Sequence, residues 1–541
     1  MAIIKFPKKE IEKHFKINQK ILDEISMFGT PAQILADELE IEINPNRPDL
    51  IPMQGFIRAF KAFKGKSNGL TKYKINKPEK NYKVKVESSV KEVRPYTVCA
   101  IIKNLKFDNE KIKELVNIQE KIHSTLGRNR KKVAIGIYPL EKIKLPIKYE
   151  ARKPLDIKFI PLDTTKEMNA IQILKRHPAG KEYAYLLKTY QKFPVFVDAN
   201  KKILSMPPII NSQEIGKVTE KTKEVFIECS GFDKNALNKT LNILVTTFAD
   251  MGGKIYSMII EDKKKEITPN LEPEKMKISL ENVNKLLGLK LKEENIEKLL
   301  KKMGYNYKNK TVFIPAWRTD ILHEVDIIED IAIAYGYDKF APEIPELSTI
   351  GEESKEDKLK ERISEILIGL KLLEISSYHL IKSDEAKKMK VDKPIEIENS
   401  KTEYKILRPN LLIPTLRTLS ENKDNEYPQH IFEIGRVFSL DEKKETRIKE
   451  QENLIIALTP GNFTEAKQTL DYLLKILALN YKLEETTHPN LIDGRTGKIL
   501  LNNKEIGYIG EVHPNTLRNW NLKMPLALIE INLDEVMKEI H

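Results

Sequence analysis

The stretch Phe313–Phe340 constrains the fold more than any other part of this sequence. It reads FIPAWRTDILHEVDIIEDIAIAYGYDKF, an extended segment followed by a pattern typical of a helix. Apolar residues recur at helical spacing and form a stripe that can dock against a core; they are Val325, Ile328, Ile331, Ala332 and Tyr335. Acidic residues at i, i+3 and i+4 share one helix face, and another acid precedes the helix; together they are Asp320, Asp326, Glu329 and Asp330. The sequence therefore predicts an amphipathic helix whose acids point away from the core.

Two interpretations of these four acids remain open at this point. Clustered carboxylates suit a hard divalent cation, which takes oxygen ligands. Acids in the first turns of a helix also complement the helix dipole, and a charged stripe is often only a solvated face. The pattern alone does not choose between a metal site and a stabilised helix.

Length and charge limit the class of protein. A chain of 541 residues with 40% hydrophobic residues is expected to form several domains with real cores. No apolar run reaches membrane-spanning length, and the charged N-terminus is not a signal peptide. We therefore expect no membrane partner. Cys99 and Cys229 have no metal-ligand spacing and imply no disulfide framework, so we expect a reducing, cytoplasmic location. The net charge of +13 is compatible with a polyanionic partner such as nucleic acid.

The pattern of periodic segments and breakers predicts an α+β protein of four domains. Residues 1–80 form an N-terminal α/β module that opens with a charged helix over Pro7–Leu22, and residues 81–267 a mixed α/β domain. In residues 268–345 two short helices precede a hairpin, as in a winged helix-turn-helix, and the acidic helix follows. Residues 346–541 interleave helices with a large, mostly antiparallel sheet.

Two loops attract attention as candidate binding elements. In NPNRPDL the prolines fix one geometry, and Asp49 is placed to cap the helix that begins near Met53. Further along, Val225–Cys229 reads as a strand, with Ser230 in the tight turn before the next helix. Such a unit either lines a pocket with hydroxyl and carboxylate groups or is an ordinary packed turn.

Six motifs in a fixed order resemble one known family. They are NPNRPDL, SGFD, the acidic stretch from FIPAWRTD to YDKF, NSKTEYKILRPNLLIPTLRTLSEN, FEIGRVF and IGYIGEVHPNTLRNW. Together they resemble the beta subunit of phenylalanyl-tRNA synthetase in its archaeal/eukaryotic form, over essentially the whole chain. The resemblance implies that residues 81–267 are a tRNA-editing domain and residues 346–541 an inactive domain of the class II synthetase fold. It also implies an alpha2beta2 assembly with a catalytic alpha subunit, which uses ATP to attach phenylalanine to tRNA(Phe).

The resemblance also assigns roles to particular residues. It implies a Mg2+ ion, shared with the alpha subunit, at Asp320, Asp326, Glu329 and Asp330. It implies an editing pocket that hydrolyses mischarged tyrosyl-tRNA(Phe), lined by Asn211, Ser212, Glu228 and Ser230. No catalytic residue for aminoacylation is expected in this chain. The sequence shows no convincing match to the Gly-rich ATP segment or the Arg-x-Glu strand of a class II site. Arg408 can be interpreted as a remaining ATP-type arginine, but a core or interface role is favoured.

Two departures from the family pattern leave the editing activity open. The family usually reads Thr-Gly-Thr-Asp where this chain has Ser230, Gly231, Phe232 and Asp233. Many of its members carry His-Asp where this chain has Tyr138-Pro139. A scaffold subunit that binds tRNA without editing is therefore an alternative, and a DNA-binding protein is a further one, based on the helix-turn-helix pattern and the positive charge.

Overall fold

The computed structural model describes residues 2–67, 69–346 and 350–540. The chain is a mixed α+β protein that divides into two compact units, residues 1–343 and 344–541. The four predicted domains are a finer division than these two units and stay a prediction.

The first unit opens with a small three-stranded antiparallel sheet of order β1-β3-β2. Its elements are β1 (Ala2–Pro7), α1 (Lys8–Glu12), α2 (Gln19–Met27), β2 (Ala32–Leu35), β3 (Glu38–Ile43) and α3 (Met53–Phe63). The prediction of one helix over Pro7–Leu22 was wrong, because the chain begins with a strand and forms two helices. Ala2, Ile4 and Phe6 are buried on alternate positions of β1, and this period-2 pattern was too short to stand out beside the lysines that follow.

An eleven-stranded sheet forms the centre of the first unit, with strand order β13-β12-β11-β8-β5-β15-β6-β14-β7 and with β4 and β16 also paired to β15. Its strands are β4 (Ile75–Asn76), β5 (Lys83–Val86), β6 (Tyr96–Lys103), β7 (Val133–Pro139), β8 (Ile147–Arg152), β11 (Phe193–Val197), β12 (Ile203–Met206), β13 (Ile210–Asn211), β14 (Val225–Gly231), β15 (Lys254–Glu261) and β16 (Lys265–Thr268). A separate pair comprises β9 (Lys158–Phe159) and β10 (Met168–Asn169). The helices are α4 (Asn109–Ser124), α5 (Ala170–Arg176), α6 (Pro178–Tyr183), α7 (Gln213–Gly216) and α8 (Lys234–Asp250).

The remainder of the first unit contains the predicted pair of helices, the hairpin and the acidic helix. Its elements are β17 (Glu274–Lys277), α9 (Leu280–Leu287), α10 (Glu293–Lys302), β18 (Asn306–Lys308), β19 (Thr311–Ile314) and α11 (Glu324–Tyr335). The strand β17 pairs with β19 and extends the hairpin to three strands. Helix α11 begins close to the position that the apolar spacing predicted.

The large sheet separates two cores within the first unit. On one face, side chains of α3, α4, α8, α10 and α11 share a single apolar cluster with β6, β7 and β14. On the other face, a second cluster includes Tyr138 and Phe226 together with residues of β8, β11 and β12. Because successive side chains of a strand point to opposite faces, β14 contributes to both cores.

The second unit is built on a seven-stranded sheet of order β20-β23-β24-β28-β27-β26-β25. All its pairs are antiparallel except β20 with β23, as the sequence predicted for a mostly antiparallel sheet. Its strands are β20 (Leu373–Glu374), β23 (Gln429–Leu440), β24 (Ile448–Thr459), β25 (Tyr481–Glu485), β26 (Leu491–Leu501), β27 (Lys504–Val512) and β28 (Ala527–Asn532), and β21 (Leu380–Lys382) pairs separately with β22 (Tyr404–Leu407). The helices are α12 (Lys355–Gly369), α13 (Ser383–Lys388), α14 (Leu412–Glu421), α15 (Phe463–Ile476), α16 (Pro514–Asn519) and α17 (Leu533–Ile540).

Candidate functional site

Two Arg-x-Asp segments meet beside the acidic helix. Arg47 donates from Nε and Nη2 to the two carboxylate oxygens of Asp49, each at 2.9 Å. Arg318 forms the same bidentate pair with Asp320, donating from Nε to Oδ1 at 2.8 Å and from Nη2 to Oδ2 at 2.7 Å. Thr319 Oγ1 donates to the carbonyl oxygen of Asn46 at 2.9 Å and ties the two segments together. The prediction that Asp49 caps the following helix was wrong, because its carboxylate is held by Arg47.

Arg318 also reaches the acidic helix itself. Its Nη2 atom lies 2.7 Å from Asp330 Oδ2, which also accepts the hydroxyl of Tyr305. Asp330 is 4% exposed, so the expectation that all three helix acids point away from the core was wrong for this residue. A carboxylate is tolerated there because the guanidinium compensates its charge. Burial alone would raise the pKa of Asp320, but the charge and hydrogen bonds of Arg318 outweigh burial and lower that pKa.

The other two acids lie on the solvent side of the helix. Asp326 Oδ2 accepts the backbone N–H groups of Leu322 and His323 at 2.7 Å, which is the capping role that the dipole interpretation predicted. Glu329 is exposed and, within the residues that the structure describes, its side chain has no hydrogen-bond partner. The capping interpretation therefore holds for Asp326, and the metal interpretation stays a prediction.

All four predicted acids line one open cavity of about 260 Å³. Arg47, Asn46 and Tyr337 line it too. The lining has one guanidinium, Arg47, and four carboxylates, and Arg318 pairs with two of these carboxylates from outside the lining. Negative charge is therefore in excess, which favours cations. Across residues 2–67, 69–346 and 350–540, no three His, Cys, Asp or Glu side chains converge closely enough to hold a metal ion. These acids do not form a closed metal shell by themselves, so an ion held here would take its remaining ligands from water or from another chain.

The second candidate site is a polar cluster inside the large sheet. Strand alternation places Glu228 and Ser230 on the same face of β14 as Phe226, away from α8. The prediction that Ser230 lies in a turn was wrong, because β14 continues to Gly231. Burial raises the pKa of the Glu228 carboxyl to about 8, against the partial compensation by Arg94 and Tyr138. Its Oε2 atom is buried without a hydrogen-bond partner among the described residues.

Tyr138 brings the two ends of the sheet together at this cluster. Its hydroxyl donates to Ser205 Oγ at 2.8 Å and lies 3.3 Å from both Asn211 Oδ1 and Glu228 Oε1. The ring is fully buried and stacks on Phe226, with 5.8 Å between ring centroids. Asn211 and Glu228, two of the four predicted pocket residues, therefore meet around one phenol although their strands lie far apart in the sheet order.

Ser230 and Ser212 occupy separate positions around this cluster. Arg94 donates from Nε to Ser230 Oγ at 3.1 Å and from Nη2 to the Ser230 carbonyl at 2.5 Å. Its guanidinium carbon also lies 5.7 Å from the ring centre of exposed Phe232. Ser212 is buried directly after Asn211, and its backbone N–H donates to the Leu204 carbonyl at 2.8 Å.

Sequence reasoning missed the basic partners of both sites. Arg318 and Arg94 hold acidic or hydroxyl groups that the patterns singled out, yet neither arginine was selected. One signal was available for the first site, because the spacing Arg-x-Asp occurs at Arg47–Asp49 and again at Arg318–Asp320. No comparable local signal connects Arg94 with Ser230.

Arg408 lies inside the second unit, as the core interpretation predicted. It is 1% exposed and donates from Nη1 to Glu433 Oε1 at 2.7 Å and to Ser377 Oγ at 2.8 Å. A Cβ at Gly435 would lie 2.4 Å from Arg408 Nη2, so this guanidinium packs directly against the strand of the FEIGRVF motif. Its charge is neutralised within the chain.

Comparison with known proteins identifies the family. The chain is 40% identical to the phenylalanine–tRNA ligase beta subunit of Pyrococcus abyssi, an alignment that covers 90% of this chain and 89% of that protein. The chain belongs to the phenylalanine–tRNA ligase beta subunit family. The resemblance drawn from the six motifs is therefore confirmed, and the family places the chain among the aminoacyl-tRNA synthetases, which are ligases of protein biosynthesis.

Further matches extend across the chain. The family's subunit from Methanocaldococcus jannaschii is 37% identical, over 99% of this chain and 100% of that protein. Family models match residues 80–246 (B3/4 domain), 276–337 (tRNA synthetase B5 domain) and 341–533 (phenylalanyl tRNA synthetase beta chain CLM domain). A crystal structure of an N-terminal fragment of the Pyrococcus horikoshii subunit superimposes with a TM-score of 0.58 at 36% identity, over 62% of this chain and 99% of that fragment. In the described part of the chain, no helix is long and apolar enough to cross a membrane.

Proposed function

We propose that this chain is the beta subunit of a heterotetrameric phenylalanine–tRNA ligase. In the cytoplasm it pairs with a catalytic alpha subunit in an alpha2beta2 assembly that uses ATP to attach phenylalanine to tRNA(Phe). The observation that carries this proposal is the match to relatives of that name over nearly the full length of both chains.

The aminoacylation site belongs to the alpha subunit in this proposal. ATP binding needs accessible cationic groups that can bind phosphate. Arg408 is instead buried and forms an ion pair with Glu433. Co-purification tests the assignment: the tagged chain should bring down a class II alpha subunit, and only the complex should charge tRNA(Phe). Charging by the isolated chain, or a complex without an alpha subunit, would contradict it.

The domain around Glu228 is proposed to hydrolyse tyrosine mischarged on tRNA(Phe). Phenylalanine and tyrosine differ by one hydroxyl, and an apolar synthetic pocket rejects an added hydroxyl only weakly. A second pocket that hydrogen-bonds the hydroxyl can select the error for hydrolysis. Glu228 and Asn211 supply such polar groups beside an aromatic wall at Phe226, and Ser212 directly follows Asn211.

Deacylation of tyrosyl-tRNA(Phe) by the assembled enzyme tests the editing proposal. The wild-type complex should release tyrosine faster than spontaneous hydrolysis in buffer does. Glu228→Ala should slow this release about tenfold or more, because the hydroxyl of the bound tyrosyl group loses its hydrogen-bond partner. Glu150→Ala, at a partly exposed carboxylate that pairs with Arg152 and Lys148, is the matched control. A wild-type rate equal to buffer would end the editing proposal.

A non-editing, tRNA-binding scaffold is the second candidate function. It is favoured by Tyr138, whose buried hydroxyl lies 3.3 Å from both Glu228 Oε1 and Asn211 Oδ1 and so contacts the polar groups that a substrate would need. In that case Glu228→Ala and Ser230→Ala would leave the amount of mischarged tRNA unchanged. The same deacylation assay therefore separates the two candidates.

The acidic cavity is proposed to hold Mg2+ shared with the alpha subunit, with Asp320, Asp326, Glu329 and Asp330 as its carboxylates. Mg2+ keeps several waters and is commonly held by one or two protein carboxylates, which agrees with the open donor set. The double change Asp326→Asn and Glu329→Gln should reduce the Mg2+ that co-purifies with the complex, measured by atomic emission. Asp338→Asn, at an exposed acid outside the cavity lining, should not. Unchanged Mg2+ in the double variant would contradict the site.

A further inference from the structure

Tyr138 presents to the interior of the sheet the chemical group that an editing pocket must recognise. It is a phenol with its hydroxyl directed at a carboxyl, an amide oxygen and a serine hydroxyl, all within 3.3 Å. Its ring stacks on Phe226 and is fully buried. A bound tyrosyl group would need the same polar groups and the same aromatic wall.

The glycine at position 136, on the same strand as Tyr138, leaves room for the phenol in this position. Gly136 precedes Tyr138 by two positions on β7, so both face the same side of the sheet, and Gly136 pairs directly with Glu228. A Cβ at position 136 would lie 2.1 Å from the Tyr138 hydroxyl oxygen and 2.6 Å from Glu228 Oε1. The phenol of Tyr138 therefore lies above Gly136, and its hydroxyl approaches the carboxyl of Glu228 on the neighbouring strand β14.

The geometry points to Tyr138 as an internal occupant of the tyrosine-recognising pocket. In the closed form its phenol takes the place of the substrate phenol, and a tyrosyl group enters only after the Tyr138 side chain has moved out. This inference rests on the proposed editing function for its substrate, but the occupancy itself is a property of the free chain. Only molecules with an open pocket can bind the tyrosyl group. The apparent affinity is therefore the intrinsic affinity multiplied by the fraction of molecules in which the pocket is open.

Removing the Tyr138 ring tests the inference directly. Tyr138→Ala leaves a buried cavity of phenol size, and such cavities bind small aromatic molecules. We expect the full-length variant to bind p-cresol at least about tenfold more tightly than toluene, because toluene leaves the buried polar groups unpaired. Wild type should bind neither. Binding is followed by isothermal titration and by the rise in the unfolding temperature with ligand concentration.

Phe432→Ala provides a matched cavity without a polar wall. Phe432 is 1% exposed in an apolar cluster of the second unit, so its cavity should prefer toluene over p-cresol. The inference is overturned if Tyr138→Ala shows no preference for p-cresol, or if wild type binds p-cresol as tightly as the variant. Should Tyr138→Ala fail to fold alone, refolding in p-cresol but not in toluene gives the same readout.

A second measurement separates this inference from the editing proposal. If both hold, the Tyr138→Ala complex should deacylate tyrosyl-tRNA(Phe) with kcat/KM about tenfold or more above wild type. Selective p-cresol binding without deacylation by either complex supports the occupancy of the pocket and ends the editing proposal. Equal deacylation by both complexes overturns the occupancy and leaves editing in place.

Discussion

At the scale of single residues, the two candidate sites treat buried charge in opposite ways. Arg318 is enclosed with Asp320 and Asp330, and their charges raise its pKa above the usual value despite burial. Glu228 lies near Arg94 and Tyr138 but forms no direct ion pair with any residue that the structure describes, and burial raises its pKa. In the first site the buried charges are stabilised by ion pairs. In the second site burial favours the neutral, protonated form of the Glu228 carboxyl.

Removal of the Arg318 guanidinium should destabilise the first unit. Arg318→Met leaves two buried carboxylates uncompensated, and we expect the free energy of unfolding to fall by about 3–5 kcal/mol. The sequence contains two tryptophans. In a Trp520→Phe background, Trp317 fluorescence during guanidinium unfolding therefore reports on this unit alone. Arg152→Met, at a partly exposed pair with Glu150, should cost no more than about 1 kcal/mol. Equal losses in both variants would show that Arg318 is not the compensating ion.

The raised pKa of Glu228 predicts a pH-dependent stability. Between the ordinary value of 4.5 and the folded value of about 8, the folded state holds a proton that the unfolded state has released. Stability therefore falls as pH rises through this window, by up to roughly 5 kcal/mol.

Glu228→Gln isolates this contribution, because its amide does not titrate. In the Trp520→Phe background, the difference in unfolding free energy between Glu228 and Glu228→Gln, followed by Trp317 fluorescence, should change steadily from pH 5 to pH 8 and level off above. A difference that is independent of pH would show that Glu228 is ionised in the folded protein at neutral pH.

At the scale of elements, a close contact between backbones determines how the loop that carries Arg47 and Asp49 packs against helix α3. Gly55 lies in α3, where a Cβ would be 2.0 Å from the carbonyl oxygen of Asp49. The helix can therefore pack against the loop only because this position has no side chain. This contact places Arg47 and Asp49 beside the acidic cavity.

Gly55→Ala should reverse the usual effect of alanine in a helix. Alanine normally gains up to about 1 kcal/mol over glycine in a helix, but the clash with Asp49 should cost about 1–3 kcal/mol here. Gly369→Ala is the control, because Gly369 also lies in a helix and nothing lies within 4 Å of its Cβ position. Unfolding followed by Trp317 for the first variant and Trp520 for the second, each as the single tryptophan, gives both values. Stabilisation by Gly55→Ala would contradict the contact.

At the scale of the whole molecule, one core joins modules that the sequence separated. Helix α3 of the N-terminal module, α8 of the central domain and α11 of the acidic stretch bury residues in the same cluster, among them Phe56, Leu237 and Ile327. The second unit has apolar clusters of its own on both faces of its sheet. Cooperative folding should therefore follow the two units and not the four predicted domains.

Separate expression tests this expectation. Fragments 1–343 and 344–541 should each unfold in one cooperative transition, because each keeps its own core. Fragment 81–267 should lack a cooperative transition, since α8 loses the apolar partners that cover it. Calorimetry of the three fragments decides the matter, and a fragment 81–267 as heat-stable as 1–343 would contradict a shared core.

The sequence alone determined the local elements and the family of this protein. Apolar spacing located α11, α3 and the mostly antiparallel second sheet, because helix and strand periodicity depends on residues that are near in sequence. Ordered motifs identified the family for a similar reason, since each is a short, contiguous pattern. The same reasoning selected the four acids and the polar residues of β13 and β14.

Only the tertiary structure decided which partners those residues have. Asp49 pairs with Arg47, Asp330 with Arg318, and Glu228 lies beneath the phenol of Tyr138. A buried charge must be compensated or neutralised by whatever the fold brings within a few ångströms, and that neighbour is often far away in sequence. Whether an acid binds a cation, caps a helix or forms a buried ion pair is therefore settled by packing, which periodicity does not encode.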